Sequence, residues 1–310
     1  MPTLSHLITI VIPVHNRADI IERTLDSIHN QDMRPVSLIL VDNNSTDNSL
    51  AIMEEWKSRH QATDFNITIT TENTKQSAAA ARNKGLSLGT TPYVMFFDSD
   101  DTMRPSHLRR ATQAFHDDPE LDIAGWDILF HAADGRTAVR PFAHRNALFR
   151  HTFNATLSTL RYAVSASLIR AVGGWNDSVL GWDDYELGMR LLERNPKMLR
   201  LGDEITVDVF ETKVSLTGTD YSSRPRQWEE VLNLCERYFK RNRWNNGWIN
   251  LRRVVLAALY AREHSPEATR LLDETLRSEH SGYKRILYKF AYYYTKHGGR
   301  GIHLILRYIL

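Results

Sequence analysis

Short apolar runs alternate with helix-forming segments along the first third of the chain, and no other feature restricts the fold as much. The runs are ITIVIPV (8–14), VSLILVD (36–42), NITITTEN (66–73) and YVMFFDSDD (93–101). Their apolar parts are rich in β-branched or aromatic residues, which is typical of strands buried in a sheet. Strands separated by helices in this way predict an α/β protein with a doubly wound sheet.

The segments between these runs have the spacing of amphipathic helices. We predict helices that end near residue 30 and that cover residues 50–60 and 77–89. Asn16 or Asp19 is expected to cap the first of them. Residues 121–140 are predicted to form strand, turn and strand, with a hairpin at 133–136.

Charge divides the chain near residue 220. Residues 221–310 hold 17 Lys and Arg against 8 Asp and Glu, whereas residues 1–220 hold 22 against 29. The pattern after Pro225 is helical almost throughout. We therefore predict one domain over 1–220 and a helical region over 221–310. The basic tail suggests an anionic partner, and the alternative is a solvated basic face.

The single cysteine, Cys235, excludes an intrachain disulfide and suits a reducing compartment. The apolar run near the start is short and lacks a basic flank, so we expect no secretory signal. No uncharged stretch approaches the roughly 20 residues of a membrane-spanning helix. These features predict a cytoplasmic protein.

The acidic run that follows the fourth strand predicts a cation site. Asp98 and Asp100 would point the same way on an extended chain, and like charges this close repel each other. Two carboxylates with water and phosphate oxygens suit Mg²⁺ or Mn²⁺. The alternative is a polar turn, with Asp101 or Thr102 capping the next helix.

Three other polar segments are VDNNSTD (41–47), AARNKG (80–85) and GWDDYEL (181–187). Asp42 also follows a buried strand, and ligands of such sheets bind beyond the carboxyl ends of strands; the alternative is a turn that caps a helix. Arg82 suits a phosphate, or is a surface charge. Asp183 and Asp184 suit a general base at a helix start, or are an ordinary acidic first turn.

Five motifs in order carry a resemblance to a known family. They are IVIPVHNR, LILVDNNSTDNS, AAARNKGL, VMFFDSDD and GWDDYELGMRLL. Together they resemble the inverting family 2 glycosyltransferases of GT-A fold, over roughly residues 8–216. The resemblance implies a doubly wound mixed sheet flanked by helices, followed by a helical C-terminal extension. It also implies transfer of a sugar from a nucleotide diphosphate sugar to an acceptor hydroxyl, with inversion.

The resemblance assigns a role to each matching residue. It implies that Asp184 is the catalytic base, with Asp183 beside it, and that Asp100 binds the metal directly with Asp98. It implies that the nucleotide sugar is bound by Pro13, His15, Arg17, Asp42, Arg82, Asp98 and Ser99. The implied cofactor is Mn²⁺ or Mg²⁺.

The chain departs from the family pattern at several of these positions. His15 stands where an aromatic residue is usual, and Asp42 is followed by Asn43 where two acids are common. The base pair is Asp183-Asp184 where Glu-Asp is common. Many relatives have a histidine after the base helix, but residues 205–217 contain none. The candidates to replace it are Glu211, Lys213 and a mobile histidine elsewhere in the chain.

The resemblance favours a UDP-sugar donor and a glycan or lipid-linked acceptor, in polysaccharide or glycolipid synthesis, and no nucleic acid partner. The basic, aromatic tail suits peripheral contact with the inner face of the membrane. Its alternatives are a helical cap on the catalytic domain and a dimer contact.

Two rival functions differ from transfer of a sugar. A nucleotidyltransferase would normally need a glycine-rich phosphate loop, which IPVHNRADI lacks. A nucleotide-sugar-binding protein without catalysis would need no base.

Overall fold

The computed structural model describes residues 7–212 and 220–310. Its strands are, in chain order, β1 (Ile8–Val14), β2 (Val36–Asp42), β3 (Phe65–Thr71), β4 (Tyr93–Phe96), β5 (Thr102–Met103), β6 (Ile123–Gly125), β7 (Ile128–His131), β8 (Thr137–Arg140), β9 (Tyr162–Ser165), β10 (Met198–Arg200) and β11 (Val207–Phe210). The four predicted strands are confirmed as β1 to β4.

The helices confirm the predicted alternation. They are α1 (Ile21–His29), α2 (Ser49–His60), α3 (Ala78–Leu88), α4 (His107–Asp117), α5 (Ala147–Asn154), α6 (Ala166–Ala171), α7 (Asp183–Leu192), α8 (Pro225–Arg241), α9 (Asn246–Arg262), α10 (Glu267–Ser278), α11 (Gly282–Lys296) and α12 (Ile302–Leu306). The predicted cap of α1 is wrong. The helix follows the apolar Ile20, and Oδ1 of Asn16 instead accepts a hydrogen bond from Thr46 N at 2.8 Å.

A mixed sheet forms the centre of the α/β part, in the order β10-β6-β9-β4-β1-β2-β3. β1 is paired in parallel with both β2 and β4, and β9 runs antiparallel to β4 and β6. All seven residues of β1 are buried, which explains its continuous apolar sequence. Because β4, β1 and β2 are parallel neighbours, their carboxyl ends lie at one edge of the sheet.

A second, smaller sheet has the order β5-β11-β7-β8. The prediction of strand, turn and strand over residues 121–140 is corrected here, because the first run divides into β6 and β7, which belong to different sheets. Asp127 lies at the division, where it accepts from Phe142 N at 2.8 Å and pairs with Arg200 at 2.7 Å. The predicted hairpin turn joins β7 to β8.

The chain divides into two compact units. The first comprises Met1–Ala147, Thr156–Ser178 and Arg194–Val214, and it contains both sheets. The second comprises Leu148–Ala155, Val179–Glu193 and Ser215–Leu310. The predicted domain boundary at residue 220 stays a prediction.

The second unit is helical and has its own core. Among the side chains buried in this core are Trp228, Cys235, Tyr260 and Tyr288. The predicted helical C-terminal region is thus confirmed. Within the described ranges, no helix combines the length and the apolar character that crossing a bilayer requires.

Candidate functional site

The end of β1 and the end of β2 are held together beside a partly buried histidine. Val14 pairs with Asp42, and Pro13 is buried opposite Val41. Nδ1 of His15 lies 2.9 Å from the carbonyl oxygen of Asn43, and its Nε2 lies 3.3 Å from Gln76 Nε2. These contacts fix the imidazole at the carboxyl edge of the sheet.

Asp42 has one carboxylate oxygen engaged and one available. It is 4% exposed, and its Oδ2 accepts from Ser45 N at 3.2 Å. Among the residues that the structure describes, nothing donates to the buried Oδ1. The turn interpretation is therefore correct for one oxygen only, and a buried acceptor without a donor is costly unless a ligand supplies one.

Arg17 connects this edge to the acidic run. Its Nη2 lies 3.6 Å from Oδ2 of Asp100, and its backbone N donates to Ser49 Oγ at 2.7 Å. Its Nε is buried and has no acceptor in the described part of the chain. The loop after β1 thus places a guanidinium next to the carboxylates that follow β4.

Arg82 is buried, which excludes the surface-charge alternative. The residue is 6% exposed, and its Nη2 donates to Asp98 Oδ1 at 2.8 Å. Its guanidinium also lies 4.4 Å from the ring centre of Trp175, whose backbone N donates to Asn83 at 2.8 Å. A cation stacked on an aromatic ring and paired with a carboxylate is held in one orientation.

Asp98, Ser99 and Asp100 lie where β4 ends. Carbonyl oxygens of this run accept hydrogen bonds from α1: Ser99 O from Thr24 Oγ1 at 3.0 Å and Asp100 O from Arg23 Nη2 at 2.5 Å. Burial, and next the negative charge of Asp98, raise the pKa of the Asp100 carboxyl, although Arg17 opposes them. The run therefore carries excess negative charge.

Asp101 does not cap a helix. It is 2% exposed, and its Oδ1 accepts from Phe210 N at 2.8 Å, while Thr102 begins β5. Burial, supported by the charges of Asp98 and Asp100, raises the pKa of Asp101 to about 9. Asp101 is thus a protonated, structural carboxyl at neutral pH.

Asp183 and Asp184 belong to the second unit, in the first turn of α7. Asp184 Oδ1 accepts from Tyr185 N at 2.7 Å. Both residues are partly exposed, so their carboxylates are accessible to solvent and are stabilised by the helix N-terminus.

Glu186 holds α7 in place through its buried side chain. It is fully buried, forms a bidentate pair with Arg190 whose shortest distance is 2.6 Å, and accepts from Tyr238 Oη at 2.5 Å. The acidic first turn therefore belongs to a helix whose buried side is held by the Glu186–Arg190 ion pair.

Sequence reasoning missed several side chains that contact the predicted residues. They are Arg23, Gln76 and Trp175. Trp175 had a signal, because it lies in a Gly/Trp-rich stretch, whereas Arg23 looked like any exposed helical cation. Glu211 accepts from Ala133 N at 2.9 Å, and Lys213 lies outside the described residues.

The described residues contain no group of three or more His, Cys, Asp or Glu side chains arranged to hold a metal ion. The acidic run offers two carboxylates, those of Asp98 and Asp100, and both are hard oxygen donors. The raised pKa of Asp100 indicates that too little positive charge lies near its carboxylate, and a bound cation would supply it. A divalent ion with water and phosphate oxygens as its other ligands fits these residues.

Comparison with known proteins points to one family. The profile described as glycosyl transferase family 2 matches residues 9–168, and that of glycosyl transferase family group 2 matches residues 93–272. The uncharacterized glycosyltransferase EpsJ of Bacillus subtilis is 29% identical over 45% of this chain. The poly(ribitol-phosphate) beta-glucosyltransferase of Bacillus spizizenii is 37% identical over 33% of this chain. The chain spans only 39% and 16% of the lengths of these two proteins.

The fold is also that of a solved structure. The structure of Staphylococcus aureus TarS 1-349 in complex with UDP-GlcNAc has a TM-score of 0.67 and 16% identity, and covers 97% of this chain and 92% of that one. The expected GT-A architecture is thereby confirmed.

Proposed function

The chain belongs to glycosyl transferase family 2, and on that premise we propose that it transfers a sugar from a nucleotide diphosphate sugar to an acceptor hydroxyl group. The observation that carries the proposal is the edge of the first unit where β1, β2 and β4 end. There the buried Asp42 carboxylate has an unused oxygen, and the guanidinium groups of Arg17 and Arg82 pair with Asp100 and Asp98 of the acidic run. These groups complement a base, a diphosphate and a cation.

We propose that the nucleotide is bound by the loop after β1 and the end of β2. The unused Oδ1 of Asp42 would accept a hydrogen bond from an N–H group of the base, and uracil has one. Pro13 and His15 would line the same pocket. The fold shared with TarS, which was solved with UDP-GlcNAc, supports a UDP-sugar as the favoured donor.

The diphosphate would be bound by Arg17 and Arg82. Arginine is always charged and presents a planar fork to phosphate oxygens. Because Asp98 already fixes Arg82 at 2.8 Å, little side-chain entropy would be lost on binding. Ser99 and Asp98 would contact the donor next to it.

Asp100, with Asp98, would hold Mn²⁺ or Mg²⁺. Such an ion, when bound, offsets the negative charge that develops on the leaving diphosphate. The protein's own part is to present the Asp98 carboxylate, which Arg82 fixes, beside the Asp100 carboxylate, which burial and the charge of Asp98 leave undercompensated.

We propose Asp184 as the general base that takes the proton of the acceptor hydroxyl, with Asp183 as its neighbour in the same helical turn. Attack of that oxygen on the anomeric carbon breaks the bond to the diphosphate in one displacement, so the configuration inverts. The positive end of the helix dipole stabilises negative charge in the first turn of α7, which suits this role.

The acceptor is proposed to be a glycan or a lipid-linked sugar chain, in polysaccharide or glycolipid synthesis. The similarity to the poly(ribitol-phosphate) beta-glucosyltransferase supports a polymer acceptor. We propose a cytoplasmic location at the inner face of the membrane, which a single buried cysteine suits.

A thermal-shift screen of nucleotide sugars with Mn²⁺ tests the donor site, because a ligand that binds only the folded state raises the melting temperature. The donor found is then incubated with candidate acceptors, and the product's anomeric configuration is read by NMR. Transfer with inversion is expected. Retention would overturn the single displacement, and a shift without any transfer or hydrolysis would favour the non-catalytic binding protein.

A further inference from the structure

Helix α11 has an unusual solvent side. Four large apolar side chains on it are between 52% and 67% exposed: Tyr283, Ile286, Phe290 and Tyr293. Their spacing of three, four and three residues places them along one stripe of the helix. A row of exposed apolar side chains of this length is uncommon on a protein that faces only water.

The same helix carries cations beside this stripe and no anions. Residues 280–310 include six Lys and Arg but no Asp or Glu. Arg285 and Lys289 alternate with the apolar side chains on the exposed side of α11. We call the six residues Tyr283, Arg285, Ile286, Lys289, Phe290 and Tyr293 the aromatic–basic face.

An open groove of about 450 Å³ adjoins this face between α10 and α11. Arg277, Arg285 and Lys289 line it, together with Leu276 and Asp273. Within the described residues, none of the three cations is ion-paired with a carboxylate. Three cations against the single carboxylate of Asp273 give the groove lining a net positive charge, which attracts an anion of phosphate type.

We propose that the aromatic–basic face docks the protein on an anionic lipid bilayer, with the lipid phosphates in the adjoining groove. Aromatic side chains are favoured at the boundary between headgroups and acyl chains, and basic residues add attraction to anionic lipids. Because residues 280–310 contain no Asp or Glu, they add no repulsion of the bilayer to that of Asp273, which lines the groove. A protein partner with an acidic surface would not explain four exposed apolar side chains at once.

This inference does not depend on the proposed transfer of a sugar, because it concerns α10 and α11 alone. It would, however, place the enzyme where a lipid-linked acceptor is found. Its failure would leave the donor site untouched, and failure of the donor site would leave the docking surface untouched.

Vesicle co-sedimentation of the full chain tests the proposal. Phosphatidylcholine vesicles that contain phosphatidylglycerol are expected to bind the wild type, and binding should fall at high salt because screening weakens the cationic contribution. Vesicles of phosphatidylcholine alone should bind at least about fivefold more weakly. Equal binding to both kinds of vesicle, or to neither, would overturn the proposal.

Variants separate the two contributions. Ile286→Glu/Phe290→Glu removes apolar area, and Arg285→Glu/Lys289→Glu reverses charge; each should weaken binding to anionic vesicles about tenfold or more. Val139→Glu is the matched control, since Val139 is a 51% exposed apolar residue of the β7–β8 hairpin, and it should bind as wild type. Circular dichroism confirms that each variant is folded.

A second copy of the chain is the competing occupant of the aromatic–basic face. Sedimentation velocity without lipid should give the same mass for wild type and Ile286→Glu/Phe290→Glu. A wild-type dimer that this variant converts to monomer, together with no vesicle binding, would identify a subunit interface and reject membrane docking.

Discussion

Arg82 donates to Asp98 at 2.8 Å from a position that is only 6% exposed. The Asp98 side chain is 31% exposed, so only the guanidinium is largely removed from water, and that cost offsets much of the attraction within the pair. The Arg82–Asp98 pair is therefore better explained by a role in binding than by a role in stability. It fixes one carboxylate of the acidic run and presents a pre-oriented guanidinium to an anion.

Arg82→Lys is expected to weaken donor binding about tenfold or more while keeping the charge. Lysine lacks the planar fork and would not stack on Trp175 in the same way. Isothermal titration calorimetry with the donor measures the change. Arg109→Lys, at an exposed pair with Asp32, is the matched control and should bind as wild type. Equal affinity for both variants would remove Arg82 from the donor site.

Asp100→Asn is expected to abolish the dependence on the divalent ion or the activity itself. The substitution removes a charged oxygen ligand while keeping the shape of the side chain. Titration of Mn²⁺ in the presence of UDP, followed by electron paramagnetic resonance of the free ion, checks this directly. Asp134→Asn in the exposed hairpin serves as control. Wild-type enzyme that works at full rate in EDTA would defeat the metal assignment.

Asp184→Asn is expected to lower turnover by about 10²–10⁴-fold and to leave donor affinity unchanged. The amide cannot take the acceptor's proton, but Asp184 is not assigned to the donor. Steady-state kinetics and donor titration separate the two effects. Asp183→Asn should have the smaller effect on turnover. If the order is reversed, Asp183 is the base.

Asp101→Asn is expected to stabilise the protein relative to wild type, and this gain should increase as the pH rises. The measurement is made in EDTA. The carboxyl has a pKa of about 9 in the folded state and about 4 when unfolded. Between these values only the folded state binds the proton, so raising the pH destabilises wild type by up to about 1.4 kcal/mol per unit. The variant keeps an oxygen for Phe210 N but does not titrate. Denaturant unfolding between pH 5 and pH 9 gives the free energy of unfolding of both proteins. Parallel dependences on pH for wild type and variant would refute the prediction.

Glu186→Gln is expected to lower the free energy of unfolding by about 3 kcal/mol, because it leaves Arg190 without its buried countercharge. Tyr238→Phe removes only a hydrogen bond to the same carboxylate and should cost about 1 kcal/mol. Urea unfolding of both variants provides the comparison. If both variants lost only a small and similar free energy of unfolding, the Glu186–Arg190 pair would be exposed to solvent.

Much of the first unit could be predicted from local sequence. β1 and β2 match their predicted limits at Ile8–Val14 and Val36–Asp42, because a buried strand needs a continuous apolar run wherever it lies in the chain. Asp42 and Asp98 could be nominated because they follow such strands. Within residues 121–140 the hairpin was predicted correctly, but the first strand is divided, because Asp127 is held by Phe142 and Arg200, which are remote in sequence.

The sequence by itself determined where apolar and amphipathic segments begin and end, and therefore which side chains follow the strands. Only the tertiary structure decided which of those side chains lose water. Asp101 became a buried, protonated carboxyl because folding removes it from water beside the charges of Asp98 and Asp100, although the hydrogen bond from Phe210 N, 109 residues away, opposes this. Asp100, by contrast, has the guanidinium of Arg17 beside it. The physical reason is that hydrophobic periodicity is local to a segment, whereas desolvation and charge pairing depend on segments that meet only when the chain is folded.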